Sequence, residues 1–161
     1  MKRRTIVLLS VFALILVFAF QDSAPALDTS AADLEAIEAV ALDYIDGYYT
    51  GDGDRMKGAL HPELAKRIVA KDPKTGESRL INMDAKQLVE VTASGGGQHY
   101  LAEQRLNDVE ILDVYGDVAS VKITAAEWID YMHVAKVDGE WKIINVLWEV
   151  TPEVKEKYSA K

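Results

Sequence analysis

The stretch DYMHVAKVDGEWKIINVLW, residues 130–148, decides the fold of this chain. Two runs rich in β-branched and aromatic residues flank Asp138-Gly139. Asp-Gly readily adopts the positive φ angles of a two-residue type I′ turn. The pattern therefore predicts a β-hairpin with strands at residues 129–137 and 140–150.

The turn also predicts the register of this hairpin. If Val137 pairs with Glu140, Met132 lies opposite Asn145 and Asp130 lies opposite Leu147, because side chains alternate between the two faces of a strand. One face then carries Asp130, Met132, Val134, Lys136, Trp141, Ile143, Asn145 and Leu147. The other face carries Tyr131, His133, Ala135, Val137, Lys142, Ile144, Val146 and Trp148.

Both faces are largely apolar, whereas an antiparallel sheet on a monomer usually keeps one polar face. We expect the first face to pack on helices and the second face to pack on another copy in a homodimer. A monomer whose tail or loops cover the second face is the alternative.

Upstream of the hairpin, residues 109–114 and 118–127 have strand character, and residues 64–70 and 79–82 predict two further strand fragments. Helical patterns come before them: residues 30–50, capped by Ser30 and ended by Gly51, a short helix capped by Asp52 or Asp54, and another that begins at Asp84. The run Ser94-Gly95-Gly96-Gly97 predicts a flexible connection and lacks the pattern of a phosphate-binding loop. Helices followed by an antiparallel meander predict an α+β domain with helices on one face of the sheet.

Residues 1–26 have the layout of a secretory signal peptide. Lys2, Arg3 and Arg4 precede a 15-residue uncharged run from Ile6 to Phe20, and residues 24–26 read Ala-Pro-Ala, similar to a cleavage site. An uncleaved anchor is the alternative, although the run is shorter than the ~20 residues that usually span a membrane. We therefore expect a single domain at residues 27–161, secreted or periplasmic.

Composition excludes several classes of protein and site. The chain has 161 residues, no cysteine, and 26 acidic against 18 basic residues for a net charge of -8. Zinc-thiolate, iron–sulfur and disulfide sites are thereby excluded, and a general nucleic-acid-binding role is disfavoured. Cleavage after residue 26 would remove three positive charges and one negative charge and leave -10, which disfavours binding to anionic membranes.

The candidate site is a small-molecule pocket on the helix-facing side of the sheet. Few polar groups among apolar side chains is the usual composition of such a pocket. The ligand-binding candidates are Tyr44, Tyr48, Trp128, Asp130, Met132, Trp141 and Asn145. No spacing joins His61, His99 and His133 into a metal site, so we predict neither metal nor cofactor.

The segments ALDYIDGYYTGD (41–52), ALHPELAK (59–66), DVYGDVASVK (113–122) and the hairpin stretch together resemble the lumazine-binding family. That family belongs to the nuclear transport factor 2-like superfamily, with ketosteroid isomerases, scytalone dehydratases and polyketide-cyclase-like proteins. The resemblance covers about residues 33–150. It implies a cone-shaped fold, a curved antiparallel sheet wrapped around N-terminal helices, often dimeric and with an internal pocket.

The sequence is compatible with three functions. The first is an exported, non-catalytic domain that holds a small flat or apolar ligand. The second is an isomerase, dehydratase or cyclase in which Asp130 or His133 moves a proton and Tyr48 or Asn145 holds an oxyanion. The third is an interaction module whose second sheet face binds another protein.

Overall fold

The order of elements in the computed structural model is helices first and then strands. The structure describes residues 29–72 and 74–159, and the predicted signal segment 1–26 lies outside the described residues. The elements are α1 (Ala31–Thr50), α2 (Gly53–Ala59), β1 (Leu60–Lys71), β2 (Ser78–Asp84), α3 (Ala85–Ala93), a 3₁₀ turn (Ala102–Gln104), β3 (Asp108–Tyr115), β4 (Val118–Thr124), β5 (Trp128–Val137), β6 (Glu140–Val150) and α4 (Pro152–Ser159). In the described residues no helix is both long and apolar enough to cross a membrane.

The capping residues predicted from sequence begin and end the helices. Ser30 Oγ accepts a hydrogen bond from the backbone N–H of Asp33 at the start of α1, and Gly51 ends that helix at a φ of 74°. Asp52 caps α2 and Asp84 caps α3 through side-chain oxygens. These bonds satisfy amide groups that a helix leaves without partners at its N-terminus, so each helix begins where its cap stands.

The strands form one six-stranded mixed sheet in the order β2-β1-β6-β5-β4-β3. The fold is the expected α+β arrangement, with a curved, unclosed sheet packed on the helices. The expectation of a wholly antiparallel sheet is wrong at one pairing, because β1 runs parallel to β6. Hairpin signals are local in sequence, and they do not specify how the β1–β2 hairpin joins the later strands.

The β5–β6 hairpin has the predicted turn but only half of the predicted register. Asp138 and Gly139 adopt φ angles of 52° and 86°, and Val137 pairs with Glu140. A register shift follows, because Val134 pairs with Ile143 while His133 pairs with Asn145, which leaves Ile144 as an extra residue. Such a bulge moves every later residue of the strand to the opposite face.

The bulge therefore corrects two predicted pairs. Asp130 lies opposite Trp148 rather than Leu147, and Met132 lies opposite Val146 rather than Asn145. Val146 is fully buried and Trp148 packs against the core, whereas Leu147 is 49% exposed on the outer face. The inner face is consequently more apolar, and the outer face more polar, than the unbroken register predicted.

Candidate functional site

A cavity of about 270 Å³ lies between the helices and the inner face of the sheet. Residues from α1, β1, β2, α3, the start of β5, the end of β6 and α4 contribute to its wall. Most of the lining side chains are aromatic or aliphatic. The lining residues are Tyr44, Tyr48, Lys66, Met83, Leu88, Val91, Tyr100, Glu127, Trp128, Trp148, Val150 and Val154.

A buried ion pair stands at the polar part of this wall. Lys66 on β1 is 8% exposed and Asp130 on β5 is 0% exposed. Lys66 Nζ donates to Asp130 Oδ1 over 2.6 Å. Removing charges from water is costly, and a close, hydrogen-bonded opposite charge is what makes burial of both groups tolerable.

Two further donors complete the surroundings of the Asp130 carboxylate. Trp128 Nε1 donates to Asp130 Oδ2 over 2.7 Å, and the Tyr44 hydroxyl donates to the same oxygen over 3.3 Å. The Tyr44 oxygen also accepts from Lys66 Nζ over 2.7 Å. Four side chains from α1, β1 and β5 are thus joined in one buried hydrogen-bonded network.

Burial dominates the acid–base behaviour of this network. Loss of hydration lowers the pKa of Lys66, and the adjacent Asp130 charge partly offsets that effect. Burial, reinforced by the Asp130 charge, raises the pKa of Tyr44 well above its usual value. The Tyr44 hydroxyl therefore keeps its proton and serves as a fixed donor and acceptor.

Aromatic rings surround the ammonium group and the cavity. Lys66 Nζ lies 4.8 Å from the centroid of the Trp148 ring, within the range of a cation–π contact. The rings of Tyr48 and Trp128 meet edge to face at 5.5 Å between centroids, and Tyr100 lies 5.9 Å from Trp128. These rings offer flat apolar surfaces of the kind on which a planar ligand stacks.

A second polar group, Glu127, lines the same cavity from the bend before β5. The Tyr100 hydroxyl donates to Glu127 Oε2 over 2.9 Å. Burial and this carboxylate raise the pKa of Tyr100 above its ordinary value. The cavity wall thus contains one ammonium group and one carboxylate among apolar side chains.

The glycine run after α3 packs against the cavity wall. A Cβ atom on Gly97 would lie 2.5 Å from the carbonyl oxygen of Tyr48 and 2.6 Å from its Cδ1 atom. Gly96 N–H donates to the carbonyl of Val91, and Gln98 Nε2 donates to the carbonyl of Thr50. The glycine run that the sequence predicts as a connection therefore forms a hydrogen-bonded turn, and this turn packs against Tyr48 at the cavity wall.

The structure brings four of the seven predicted site residues together. Tyr44, Tyr48 and Trp128 line the cavity, and Asp130 lies behind that lining with hydrogen bonds to three of its members, Lys66 among them. Met132 is 1% exposed in the core, outside the cavity lining.

The two remaining predicted residues lie elsewhere. Trp141 Nε1 donates to Asp33 near the start of α1. Asn145 lies on the outer face, because of the bulge at Ile144, and its Oδ1 accepts from Arg67 over 3.1 Å.

The histidines also lie away from the cavity lining. His133 is exposed on the outer face, 3.5 Å from Asn145 Nδ2. His61 Nδ1 accepts the backbone N–H of Glu63, as expected of a residue that satisfies backbone groups. His99 is exposed, with its ring 4.1 Å from that of Tyr100.

Sequence reasoning missed Lys66, which carries the positive charge of the site. Its signal is the alternation on β1, where Leu64, Lys66 and Ile68 share one face of the strand. A lysine between two apolar residues on a core-facing side needs a buried partner. Trp148 was missed as a site residue because the predicted register placed it on the outer face.

Comparison with known proteins identifies relatives of this chain. The family described as "Putative lumazine-binding" matches residues 32–149. Among the curated proteins, none matches the chain.

Solved structures with the same fold include three informative examples. A nuclear transport factor 2-like protein of unknown function from Methylobacillus flagellatus is 21% identical, with a TM-score of 0.62 over 78% of this chain and 98% of that one. A nuclear transport factor 2-like protein of unknown function from Shewanella baltica is 20% identical, with a TM-score of 0.60 over 77% and 98%. A ketosteroid isomerase-like protein from Erwinia carotovora atroseptica is 16% identical, with a TM-score of 0.50 over 76% and 100%. At these identities the likeness concerns the fold alone.

Proposed function

The chain belongs to the lumazine-binding family within the nuclear transport factor 2-like superfamily, and we propose that it is a non-catalytic domain that binds a small planar molecule in its cavity. The observation that carries this proposal is the aromatic lining around a single buried ammonium group, Lys66. Apolar surface with a few placed polar groups is the usual composition of a small-molecule site.

The size of the cavity supports a ligand of one or two fused rings. Its volume of about 270 Å³ falls just below the ~300–1,000 Å³ of sites for drug-sized ligands. A four-ring steroid is larger than this volume. Lumazine, a two-ring compound, is therefore a reasonable probe of the right size.

The hydrogen bonds of Asp130 favour binding over catalysis. Its two oxygens already accept from Lys66, Tyr44 and Trp128, and the carboxylate does not line the cavity. A general base needs a lone pair within reach of the proton that it removes. Of the other groups in the enzyme hypothesis, His133 and Asn145 lie on the outer face, and Tyr48 lines the cavity without either proposed proton carrier beside it in the lining.

A ligand panel tests the proposal. Lumazine, riboflavin and a steroid are titrated into the purified domain while tryptophan fluorescence and melting temperature are recorded, because two of the three tryptophans line the cavity. We expect lumazine-sized rings to shift both signals and the steroid to shift neither. If no ring compound of any size changes either signal, the proposed function is wrong.

A matched pair of variants locates the binding. Val150→Phe places a ring in the cavity, whereas Val118→Phe makes the same change at a residue that is 53% exposed on the outer face. Binding should weaken in the first variant and persist in the second. Equal affinity in both variants would place the ligand outside the cavity.

We propose in addition that the domain acts outside the cytoplasm. The support is the sequence of residues 1–26, with its basic start and uncharged run of 15 residues. Fractionation of the host, followed by N-terminal sequencing of the protein, tests this. Recovery of the uncleaved chain in the cytoplasmic fraction would contradict the proposal.

The homodimer through the outer face also remains a proposal. Exposed apolar side chains on that face support it, with Tyr131 52% and Leu147 49% exposed on paired positions of β5 and β6. Arg67 and Asn145 make the same face more polar than the sequence predicted. Sedimentation at micromolar concentration decides the question, and a clean monomer would contradict the dimer.

A further inference from the structure

Two charged groups of the cavity wall retain capacity for a hydrogen bond with a ligand. Lys66 can donate and Glu127 can accept, and both line the same cavity. We propose that the cavity selects an uncharged planar ring that presents a carbonyl oxygen or ring nitrogen to Lys66 and an N–H group to Glu127. This inference rests on the proposed function and names the chemical class of its ligand.

The ammonium group of Lys66 has one donor left. Of its three N–H donors, one reaches the Tyr44 hydroxyl and one reaches Asp130 Oδ1. Within residues 29–72 and 74–159 no oxygen or nitrogen accepts the third. A ligand acceptor would give that donor a partner in a site where hydrogen bonds to a charged group are strong.

The carboxylate of Glu127 has one oxygen left. Oε2 accepts the Tyr100 hydroxyl over 2.9 Å, and Oε1 has no donor in the part of the chain that the structure describes. Glu127 is partly exposed, so this oxygen is hydrated until a ligand arrives. A ligand N–H would replace that water with a charge-assisted hydrogen bond.

The balance of charges disfavours an anionic ligand. The Lys66 ammonium is already compensated by Asp130 at 2.6 Å, and Glu127 adds a second negative charge at the cavity. A carboxylate ligand would therefore meet a site of net negative charge inside a chain whose net charge is -8. The Glu127 carboxylate repels such an anion, and solvent partly screens that repulsion because Glu127 is partly exposed.

Four matched two-ring probes separate the contributions. Quinolin-2(1H)-one has a carbonyl and an N–H, 1-methylquinolin-2-one keeps only the carbonyl, naphthalene has neither, and quinoline-2-carboxylate is an anion. We expect affinity to fall by about tenfold at each step from the first probe to the third, since each step removes a hydrogen bond to a charged group. The carboxylate should bind more weakly than 1-methylquinolin-2-one.

Glu127→Gln tests the acceptor without disturbing the fold, because a glutamine oxygen can still accept from Tyr100. The ratio of the affinities of quinolin-2(1H)-one and its methylated form should fall from about ten to nearly one. The affinity of quinoline-2-carboxylate should rise. Glu103→Gln, at an exposed residue of the 3₁₀ turn, is the control and should reproduce the wild-type ratios.

Lys66→Met combined with Asp130→Asn tests the donor while removing both buried charges together. In this double variant 1-methylquinolin-2-one should lose its advantage over naphthalene. Circular dichroism establishes whether the variant folds, and if it does not, the wild-type probe ratios and Glu127→Gln decide.

Two results have distinct meanings. If the neutral probes bind with equal affinity, or the carboxylate binds best, the inferred selectivity is wrong while the binding function stands. If none of the four probes binds while lumazine does, the inferred selectivity is wrong and the binding function stands; if lumazine also fails, the proposed function itself is wrong.

Discussion

Asp33 and Asp130 gather the same kinds of partner in two different settings. Asp33 accepts from Lys136 Nζ over 2.8 Å and from Trp141 Nε1 over 2.9 Å, near the start of α1. Asp130 accepts from a lysine and a tryptophan over 2.6 and 2.7 Å, but it is fully buried. The Asp33 cluster is partly open to solvent, with Asp33 26% and Lys136 31% exposed at the side chain.

The comparison shows that a lysine and a tryptophan that donate to a carboxylate have a different role when that carboxylate is buried. The Asp33 cluster connects the first turn of α1 to the β5–β6 hairpin next to its turn, and water screens its charges. The Asp130 cluster contacts α1 at Tyr44, roughly 16 Å further along the helix, and lies beside the cavity. Of the two clusters, it is the Asp130 cluster that contributes a charged group, Lys66, to the cavity lining.

Removing one charge of the buried Lys66–Asp130 ion pair should lower the stability of the fold most. Lys66→Met leaves the Asp130 carboxylate buried without its cation, and we expect a loss of about 3–5 kcal/mol in the free energy of unfolding. The double variant Lys66→Met/Asp130→Asn should recover most of that loss, because no isolated charge remains. Urea titrations of the three proteins measure both values; a single variant as stable as the double one would contradict this account.

The next largest loss of stability is expected beside the cavity, at Gly97. Gly97→Ala forces a methyl group against the carbonyl oxygen of Tyr48, and such overpacking typically costs about 1–3 kcal/mol. Gly58→Ala is the control, since a Cβ there meets nothing within 4 Å and alanine favours the helix. Urea midpoints should fall for the first variant and rise or stay for the second.

The partly exposed cluster should respond to pH. Hydrogen bonds from Lys136, Trp141 and Ser30 lower the pKa of Asp33 to about 2 from an ordinary value of 3.8. A lowered pKa stabilises the fold at pH above 3.8, and that stabilisation disappears as pH falls through about 2. Asp33→Asn should therefore lower the melting temperature at pH 6, and the gap from wild type should close near pH 2. A gap that persists unchanged at pH 2 would show that the charge of Asp33 is not its cause.

The smallest effect is expected at a surface ion pair of the sheet. Lys122 Nζ lies 3.0 Å from Glu110 Oε2, but the Glu110 side chain is 58% exposed. Solvent and salt screen such pairs, so Lys122→Met should not measurably change the urea midpoint. A loss comparable to that of Lys66→Met would contradict the claim that burial sets the difference.

The sequence predicts much of the fold because its strongest signals are local. Ser30, Gly51, Asp84 and Asp138-Gly139 act within a few residues, and each caps or turns the chain where expected. The parallel pairing of β1 with β6 joins distant segments, and no local residue signals it.

The candidate site is less predictable because it depends on those distant pairings. The bulge at Ile144 changes the face of every later residue of β6, which removes Asn145 from the inner face and adds Trp148 to the cavity. Lys66 meets Asp130 only because β1 and β5 both pair with β6. A lysine on an apolar strand face signals that some buried partner exists, but not which residue it is.

Nuclear magnetic resonance can show whether a planar ligand binds beside the Asp130 cluster. The indole N–H signals of the three tryptophans are followed in a ¹H–¹⁵N correlation spectrum during a titration with quinolin-2(1H)-one. We expect the signals of Trp128 and Trp148 to shift, while the signal of Trp141, whose indole N–H donates to Asp33, stays in place. A shift of Trp141 alone, or no shift of any indole at saturating ligand, would contradict this expectation.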